Sequence, residues 1–546
     1  MTAPGVPAGM WIRFADHFPH ALTPEYARLF RSTFEEAQGA MYESYGIPFR
    51  GTATTLVDGH LYLGPLPLVG RATAVVPPKP VLWLVTRLHP TYRRYRRRAN
   101  EVLRDRPWRD EVHVWRRELR SLWIDANLGL QATDPAALDD GALVRHLRQC
   151  RANAEEGYRV HFMLHGPDLL ATGLLLTRGA DWGLAPGELL AALVGSSPAS
   201  TGADSDLDLV RARVAERGVA SIASLDEVRA LGDDVAAALD HFLLRHGWRL
   251  ITSYDLDGRC LAELPDLIRT LATSPLPAPA PEVDVEMLRA RVPAHERTEF
   301  DVLLEDARFT YGLRDDNGGI TGAWTVGLLR RAMLEAGRRL VQRGALANRE
   351  HAVEASVDEL LVMLAGGETG STPSADDIAH RAAARAEASR HQPPATLGQP
   401  LPEPDVLATF PEPLGLMARS QLALADGTYH GGTEPLTGLG IGDQPVTARA
   451  CIVANAPDAL ARLQPGEVLV ASSTTPAFNA ALSIAGGLVV EQGGYMSHAA
   501  VTARELGLPA VIGATGAVAD LTDRSIVCVD PVAGLVRQLD TTAIPS

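Results

Sequence analysis

Apolar residues in the upstream part of the chain recur at helical spacing. Phe300, Leu303, Leu304, Ala307 and Tyr311 stand at i, i+3, i+4, i+7 and i+11, the stripe of a helix with one buried face. Trp324 to Leu346 predicts a second long helix, stopped at Gly344, and Ser356 to Leu364 a third, with Asp358 and Glu359 early and Gly366-Gly367 at its end. Beyond about residue 436 the texture changes. Short β-branched runs at Ala448–Val453, Glu467–Ala471, Gly487–Val490, Ala510–Ile512 and Ser525–Val529 alternate with helical segments at Pro457–Leu463 and Pro476–Ala485. Two proline-rich stretches punctuate the chain: Pro275, Pro277, Pro279 and Pro281, then Pro393 to Pro413. The expected fold is multidomain: a mainly α-helical body over 1–390, a Pro-rich linker region over 391–435, and a C-terminal α/β domain over 436–546.

Composition sets limits on function. The 546 residues are 46% hydrophobic and 21% charged, ordinary for a chain that buries a core. No apolar run approaches the roughly 20 residues of a membrane span, and Met1–Met10 lacks the pattern of a secretory signal, so a cytoplasmic protein without membrane contact is expected. Cys150, Cys260, Cys451 and Cys528 are scattered and read as core thiols rather than disulfide partners. A net charge of −15 argues against nucleic acid. Arg87 to Arg120 runs the other way, with twelve arginines against five acids, either a solvated helical face or a docking surface for a phosphate-bearing ligand or partner. The only lysine is Lys79, which excludes a phosphate-binding loop ending in Gly-Lys and disfavours Schiff-base chemistry.

The strongest chemical signal is Gly493-Gly494-Tyr495-Met496-Ser497-His498-Ala499-Ala500-Val501-Thr502-Ala503-Arg504-Glu505-Leu506-Gly507-Leu508-Pro509. Two glycines permit a tight turn after the strand 487–490, Ser497 is a good N-cap, and Gly507 ends the helix that follows. His498 then sits in a first helical turn, where free N–H groups and the positive dipole end favour a phosphoryl dianion. Gly493, Gly494, Ser497, Arg504 and Thr474 are the candidate phosphate-binding residues, and a neutral imidazole at His498 is a competent phosphoryl acceptor. A capping or surface histidine is the alternative from local physics.

The segment Gly-Gly-x-x-Ser-His-Ala-Ala-Val-x-Ala-Arg-Glu-Leu-Gly-Leu-Pro-Ala-Val-x-Gly resembles the phosphohistidine signature of the phosphoenolpyruvate-utilising enzymes. Ser473-Thr474-Thr475-Pro476 and Asp530-Pro531-x-x-Gly534 resemble the same family's swivelling domain. The resemblance implies a swivelling phosphohistidine domain with His498 as the phosphorylated residue. The order of helical body before histidine domain is similar to rifampicin phosphotransferase without its ATP-grasp domain, and the sequence leaves no room for a pyruvate barrel after His498. Weaker similarity extends over Trp11–Pro24, His246–Arg249, Leu313–Arg331 and Gly344–Leu360.

That layout implies a split system. ATP and Mg²⁺ are expected on a separate ATP-grasp partner, which charges His498, and a small organic acceptor is expected in the helical body, phosphorylated outright or activated for dehydration or ligation. His17, Arg314, Arg330 and Arg331 are the candidate substrate-binding residues, with structural roles as the alternative for each. Asp315 and Asp316 can orient Mg²⁺ or a hydroxyl, or form an exposed helix end. His161 and His165 share an i, i+4 face without an evident third ligand, so no metal site is expected. A non-catalytic binding or regulatory protein that keeps the carrier fold is the competing expectation.

Overall fold

The computed structural model describes residues 8–539 other than 16, 72–76, 197, 220–221, 275–282, 367–371, 392, 400–405, 407–408, 424–435, 475–477 and 496. Helices dominate the body. Pro24–Tyr45, Asp140–Met163 and Trp324–Gln342 pack together over one large apolar core that includes Phe30, Leu147, Trp324 and Leu329. The periodic stripes of the sequence are found in place. Phe300, Leu304, Ala307 and Tyr311 are buried along Arg297–Thr310 and its C-cap, and Gly344 turns left-handed just past Gln342. Ser356 caps Val357–Leu364 in a reciprocal pair with Glu359.

The body is not helical throughout. Strands β1 (Met10–Arg13), β2 (Phe49–Val57), β3 (His60–Pro67) and β4 (Thr396–Gly398) form a sheet in the order β2-β3-β1-β4. Asp58 and Gly59, both at positive φ, make the two-residue turn between β2 and β3. The pairing of β4 with β1 corrects the expected linker boundary, because residues 396–398 complete a sheet of the body. The carbonyls of Pro393 and Pro394 accept from Arg13 and Tyr62, which ties the start of that stretch to the body. Further on, Leu414–Leu422 packs against His165–Asp181, with the backbone of Ser420 directly over Gly173, a contact only a residue without a side chain permits.

The C-terminal domain is a mixed sheet of β5 (Leu436–Thr437), β6 (Leu439–Ile441), β7 (Val446–Val453), β8 (Val468–Ala471), β9 (Gly487–Val490), β10 (Ala510–Ile512), β11 (Ile526–Asp530) and β12 (Leu535–Leu539). Its order is β5-β12-β11-β7-β8-β9-β10-β6, with β7 to β10 parallel and the rest antiparallel. The two edge strands are separated by Gly438 alone, so one segment supplies both edges and the sheet rolls up like a barrel. The helix His498–Glu505 crosses between β9 and β10. Tyr495 and Val501 join an apolar cluster with Leu189, Phe300, Leu304 and Tyr311, which seats this domain on the body.

A buried histidine in a side cluster of the body ties stability to pH. His246 is 7% exposed, stacks on Phe242 and meets Asp206 through Nε2 at 3.2 Å. Burial, aided by Arg249, holds its imidazole at about 4 against an ordinary 6.5. Below 6.5 the unfolded chain takes up a proton that the folded one refuses, so stability falls as pH drops towards 4, by at most about 3 kcal/mol. Chemical denaturation at pH 7 and pH 4.5 should show His246→Gln losing less stability on acidification than the parent; equal losses would contradict the assignment.

Candidate phosphohistidine site

The site grows out of the carboxyl ends of two parallel strands. β9 ends at Val490 and the chain turns through Gly493, whose φ of 130° lies in a region side chains avoid. A Cβ there would stand 2.7 Å from Ser497 Oγ. Ser497 is the N-cap: its Oγ accepts from the Ala500 N–H at 3.3 Å and donates to the Gly494 carbonyl at 2.9 Å. Helix His498–Glu505 therefore opens at His498, in the crevice beyond the parallel strands where ligands of α/β sheets are bound.

Three side chains hold the ring. Thr474, just past β8, places Oγ1 3.0 Å from Nδ1, Asn479 places Oδ1 2.6 Å from Nε2, and Thr502, one turn along the helix, places Oγ1 3.2 Å from Nε2. Both threonine hydroxyls can donate or accept, and an amide can turn, so the frame accommodates either neutral tautomer. Thr474 is buried while His498 is half-buried, so the ring is fixed from beneath and open from outside. This arrangement suits a nitrogen that must present its lone pair in one direction.

The expected phosphate-binding residues divide by role. Gly493, Gly494 and Ser497 build the turn and cap that expose the first-turn amides, and Thr474 orients the ring. Arg504 is elsewhere: it lies in the last turn, 7% exposed, with Nη1 donating to the Tyr495 carbonyl at 2.6 Å and the phenol of Tyr311 close by. Six residues of helix, roughly 9 Å, separate it from the mouth. Burial without a carboxylate pulls its pKa down. Asn479 and Thr502 were not foreseen. The i+4 spacing of Thr502 from His498 was a usable signal; Asn479 meets the ring only through tertiary packing.

In the body, Arg330 is buried at 2% exposure and donates to Glu263, Glu350 and the Leu256 carbonyl. Arg331 stacks on Trp248 at 4.6 Å and donates to the carbonyls of Gln131 and Thr133. Both are structural ties rather than substrate clamps, because their donors are already committed to protein acceptors. His17 is exposed and stacks on Phe14 at 4.3 Å. The side chains of Arg314 and Asp315 lie outside the described residues. Asp316 accepts from Trp115 Nε1 and Arg120 rather than ending a helix in solvent. His161 and His165 face each other with Nε2 atoms 3.2 Å apart. Among the described residues, no group of three or more His, Cys, Asp or Glu side chains converges as a metal set would.

Comparison with known proteins agrees with this geometry. Residues 463–534 match the family described as PEP-utilising enzyme, mobile domain. Over 97% of its length the chain is 26% identical to chondramide synthase of Chondromyces crocatus, of which the match covers 14%. It is 26% identical over 54% of its length to the uncharacterized phosphotransferase YvkC of Bacillus subtilis, covering 35% of that protein. Against rifampicin phosphotransferase of Bacillus cereus, identity is 37% over 19% of this chain and 12% of the other. The chain thus spans a minor part of each of these relatives.

The turn before the ring is testable by itself. Gly493→Ala should destabilise the C-terminal domain by about 1–3 kcal/mol, through both the φ it must adopt and the contact with Ser497 Oγ. Calorimetry of the full chain reads this as an earlier unfolding transition; an unshifted one would show that the turn relaxes freely.

Proposed function

This chain belongs, through its C-terminal mobile domain, to the phosphoenolpyruvate-utilising enzymes, and from that premise we propose that His498 carries a phosphoryl group to a small organic molecule bound by the helical body. The observation that carries the proposal is the ring itself, pinned by Thr474, Asn479 and Thr502 at a helix mouth and open to an incoming phosphorus. Nε2 is the nucleophile in this reading. With Nδ1–H donated to Thr474, Nε2 bears the lone pair, and the Asn479 and Thr502 side chains that contact it give way as phosphorus arrives. The first-turn amides of the helix then face the transferred group.

The donor in this reading is ATP with Mg²⁺, bound by a separate ATP-grasp subunit. The described residues do not fit a nucleotide triphosphate: Lys79, the only lysine, stands exposed at the start of the helix Lys79–Leu88, far in sequence from any acidic cluster. The body supplies the acceptor, whose oxygen attacks phosphorus in line with the departing imidazole, and catalysis is chiefly positioning and charge neutralisation.

Commuting between donor and acceptor requires the carrier to leave the body. Its seat includes Tyr495 and Val501 against one apolar cluster of the body and Leu460 against another, and Arg504 is buried beside Tyr495 with Nη2 lacking a hydrogen-bond acceptor among the described residues. A desolvated cation without a counter-charge weakens the docked state, which suits a contact that must open.

Incubation with β-labelled ATP and the ATP-grasp partner, or with potassium phosphoramidate alone, should leave acid-labile, base-stable phosphate on the chain. His498→Ala should abolish it, and Thr474→Val should slow it about 10-fold, the worth of one orienting hydrogen bond. A chain that takes label from neither donor, or takes it equally without His498, would refute the carrier role and favour a binding protein.

A further inference from the structure

Part of the arginine-rich stretch is left by the fold without counter-charges. The helix Pro90–Asp105 buries Tyr92, Tyr95, Ala99 and Val102 and turns Arg93, Arg96, Arg97, Asn100 and Arg104 outward along its other face. With Arg87, from the end of the helix Lys79–Leu88, these side chains surround a shallow, open depression. Arg94, Arg98 and Arg104 have carboxylate partners in Glu43, Glu101 and Asp105. Arg87, Arg93, Arg96 and Arg97 form no ion pair within 4 Å among the described residues. Three of them are anchored to backbone instead. Arg87 Nη1 donates to the carbonyls of Trp83 and Thr409 at 3.1 Å, Arg93 Nε to that of Arg87 at 3.3 Å, and Arg96 Nε to that of Glu412 at 3.0 Å. Held by Nε, Arg93 and Arg96 present both terminal nitrogens outward, so part of the ordering that binding demands is already in place.

The preceding helix exposes apolar side chains beside these cations. Lys79–Leu88 buries only Leu82 and Thr86, while Val81, Trp83, Leu84 and Leu88 are 48%, 51%, 49% and 54% exposed. At about 100° per residue, Trp83, Arg87, Leu84, Leu88 and Val81 follow one another around a single arc of the helix. The Arg87 guanidinium lies over the Trp83 ring at 4.3 Å. Single apolar side chains on a surface need no explanation. Four on one arc, with a tryptophan among them and an arginine between them, have the make-up of the energetic centre of a protein interface.

Charge selects the occupant. The two helices carry eight lysine and arginine residues against two acids, Glu101 and Asp105, in a chain whose net charge is −15. An acidic partner is repelled by the chain as a whole and drawn to this face. A two-fold dimer through the face would set arginine against arginine. Nucleic acid would leave the apolar arc without a counterpart, and a bilayer, being flat, would not fill the depression. The same arginines also hold the chain ahead of the C-terminal domain: Arg87 and Arg96 grip the carbonyls of Thr409 and Glu412, and Phe410 packs on Tyr92 at 5.9 Å, just before the helix Leu414–Leu422.

We propose that this face docks another protein, through an amphipathic helix that bears carboxylates on one side and apolar side chains on the next. Carboxylates three or four residues apart on that helix match Arg93, Arg96 and Arg97, and a further one meets Arg104, roughly 16 Å along the axis from Arg93. Each guanidinium offers a carboxylate two parallel hydrogen bonds. The partner's apolar side chains cover Val81, Leu84, Leu88 and the Trp83 ring. Charge brings the two surfaces together and the apolar arc holds them, so added salt slows association more than it speeds release. Docking here requires nothing of His498.

Photo-crosslinking tests this in the cells that make the protein, with a benzophenone amino acid in place of Leu84 or of Asn100 in the full chain. Both positions should attach to one acidic segment of one other protein. That protein, purified, should bind the parent chain, and Arg93→Ser, Arg97→Ser and Trp83→Ser should each weaken its Kd by on the order of 10-fold or more. Arg97 makes no hydrogen bond or ion pair with any described residue, so Arg97→Ser breaks none within the chain and reads the interface alone. Raising salt from about 50 to about 300 mM should slow association by a similar factor. Adducts at neither position, adducts to a second copy of this chain, adducts in a segment without carboxylates, or variants that bind as the parent does would overturn the proposal. Flotation of the parent chain with phosphatidylglycerol vesicles, or its retention on duplex DNA, lost in Arg93→Ser and Arg97→Ser, would overturn it too and give the face to lipid or nucleic acid.

Discussion

The imidazole of His498 is fixed from several sides at once, and that constraint runs through the C-terminal unit. The ring of His498 is held by hydroxyls from two different segments and an amide from a third. Parallel strands are what bring those segments together: β8 delivers Thr474 and β9 delivers His498 to the same edge, since both run the same way and end at the same level. The rolled sheet then has no long open edge, because the short segment around Gly438 closes both sides. Packing of Ala499, Ala500 and Ala503 on Leu488, Val490 and Ile512 ties the helix mouth to the sheet beneath it.

The body is organised by arginine. With one lysine in the chain, nearly every cation is a guanidinium, and most are turned to structural use. Arg330 bridges Glu263 and Glu350, Arg339 links Glu335 and Asp140 while donating to the carbonyls of Pro135 and Leu138, and Arg385 forks onto Glu354. Against that background, two desolvated arginines that form no ion pair within 4 Å among the described residues stand apart. Arg504 lies in the seat between carrier and body, and Arg249 lies at the π-helical turn Gly318–Ala323.

Legibility varied with the range of the interactions involved. The long helices, the capping pair Ser356–Glu359, the five strands β7 to β11 and the Ser497 cap were readable because each rests on residues within a few positions of one another. The hairpin β2–β3 was also announced locally, by Asp58-Gly59 between alternating apolar runs, although the helical reading of the body passed over it. Strand β4 was not readable: three residues acquire their conformation only from β1, almost the whole body away in sequence. The same holds for Leu414–Leu422, whose place depends on the bare backbone at Gly173.

The sequence by itself determined the candidate residue and the local device that presents it. A glycine pair, an N-cap and a helix-forming run place His498 at a helix mouth whatever surrounds them. Only the tertiary structure decided which nitrogen contacts the ring makes, that Arg504 turns away from the mouth, that Arg330 and Arg331 are ties within the body, and that His161 meets His165 opposite Gly318. Hydrogen bonds between distant segments and the desolvation of charge depend on where the chain folds back, and spacing along a sequence does not encode that.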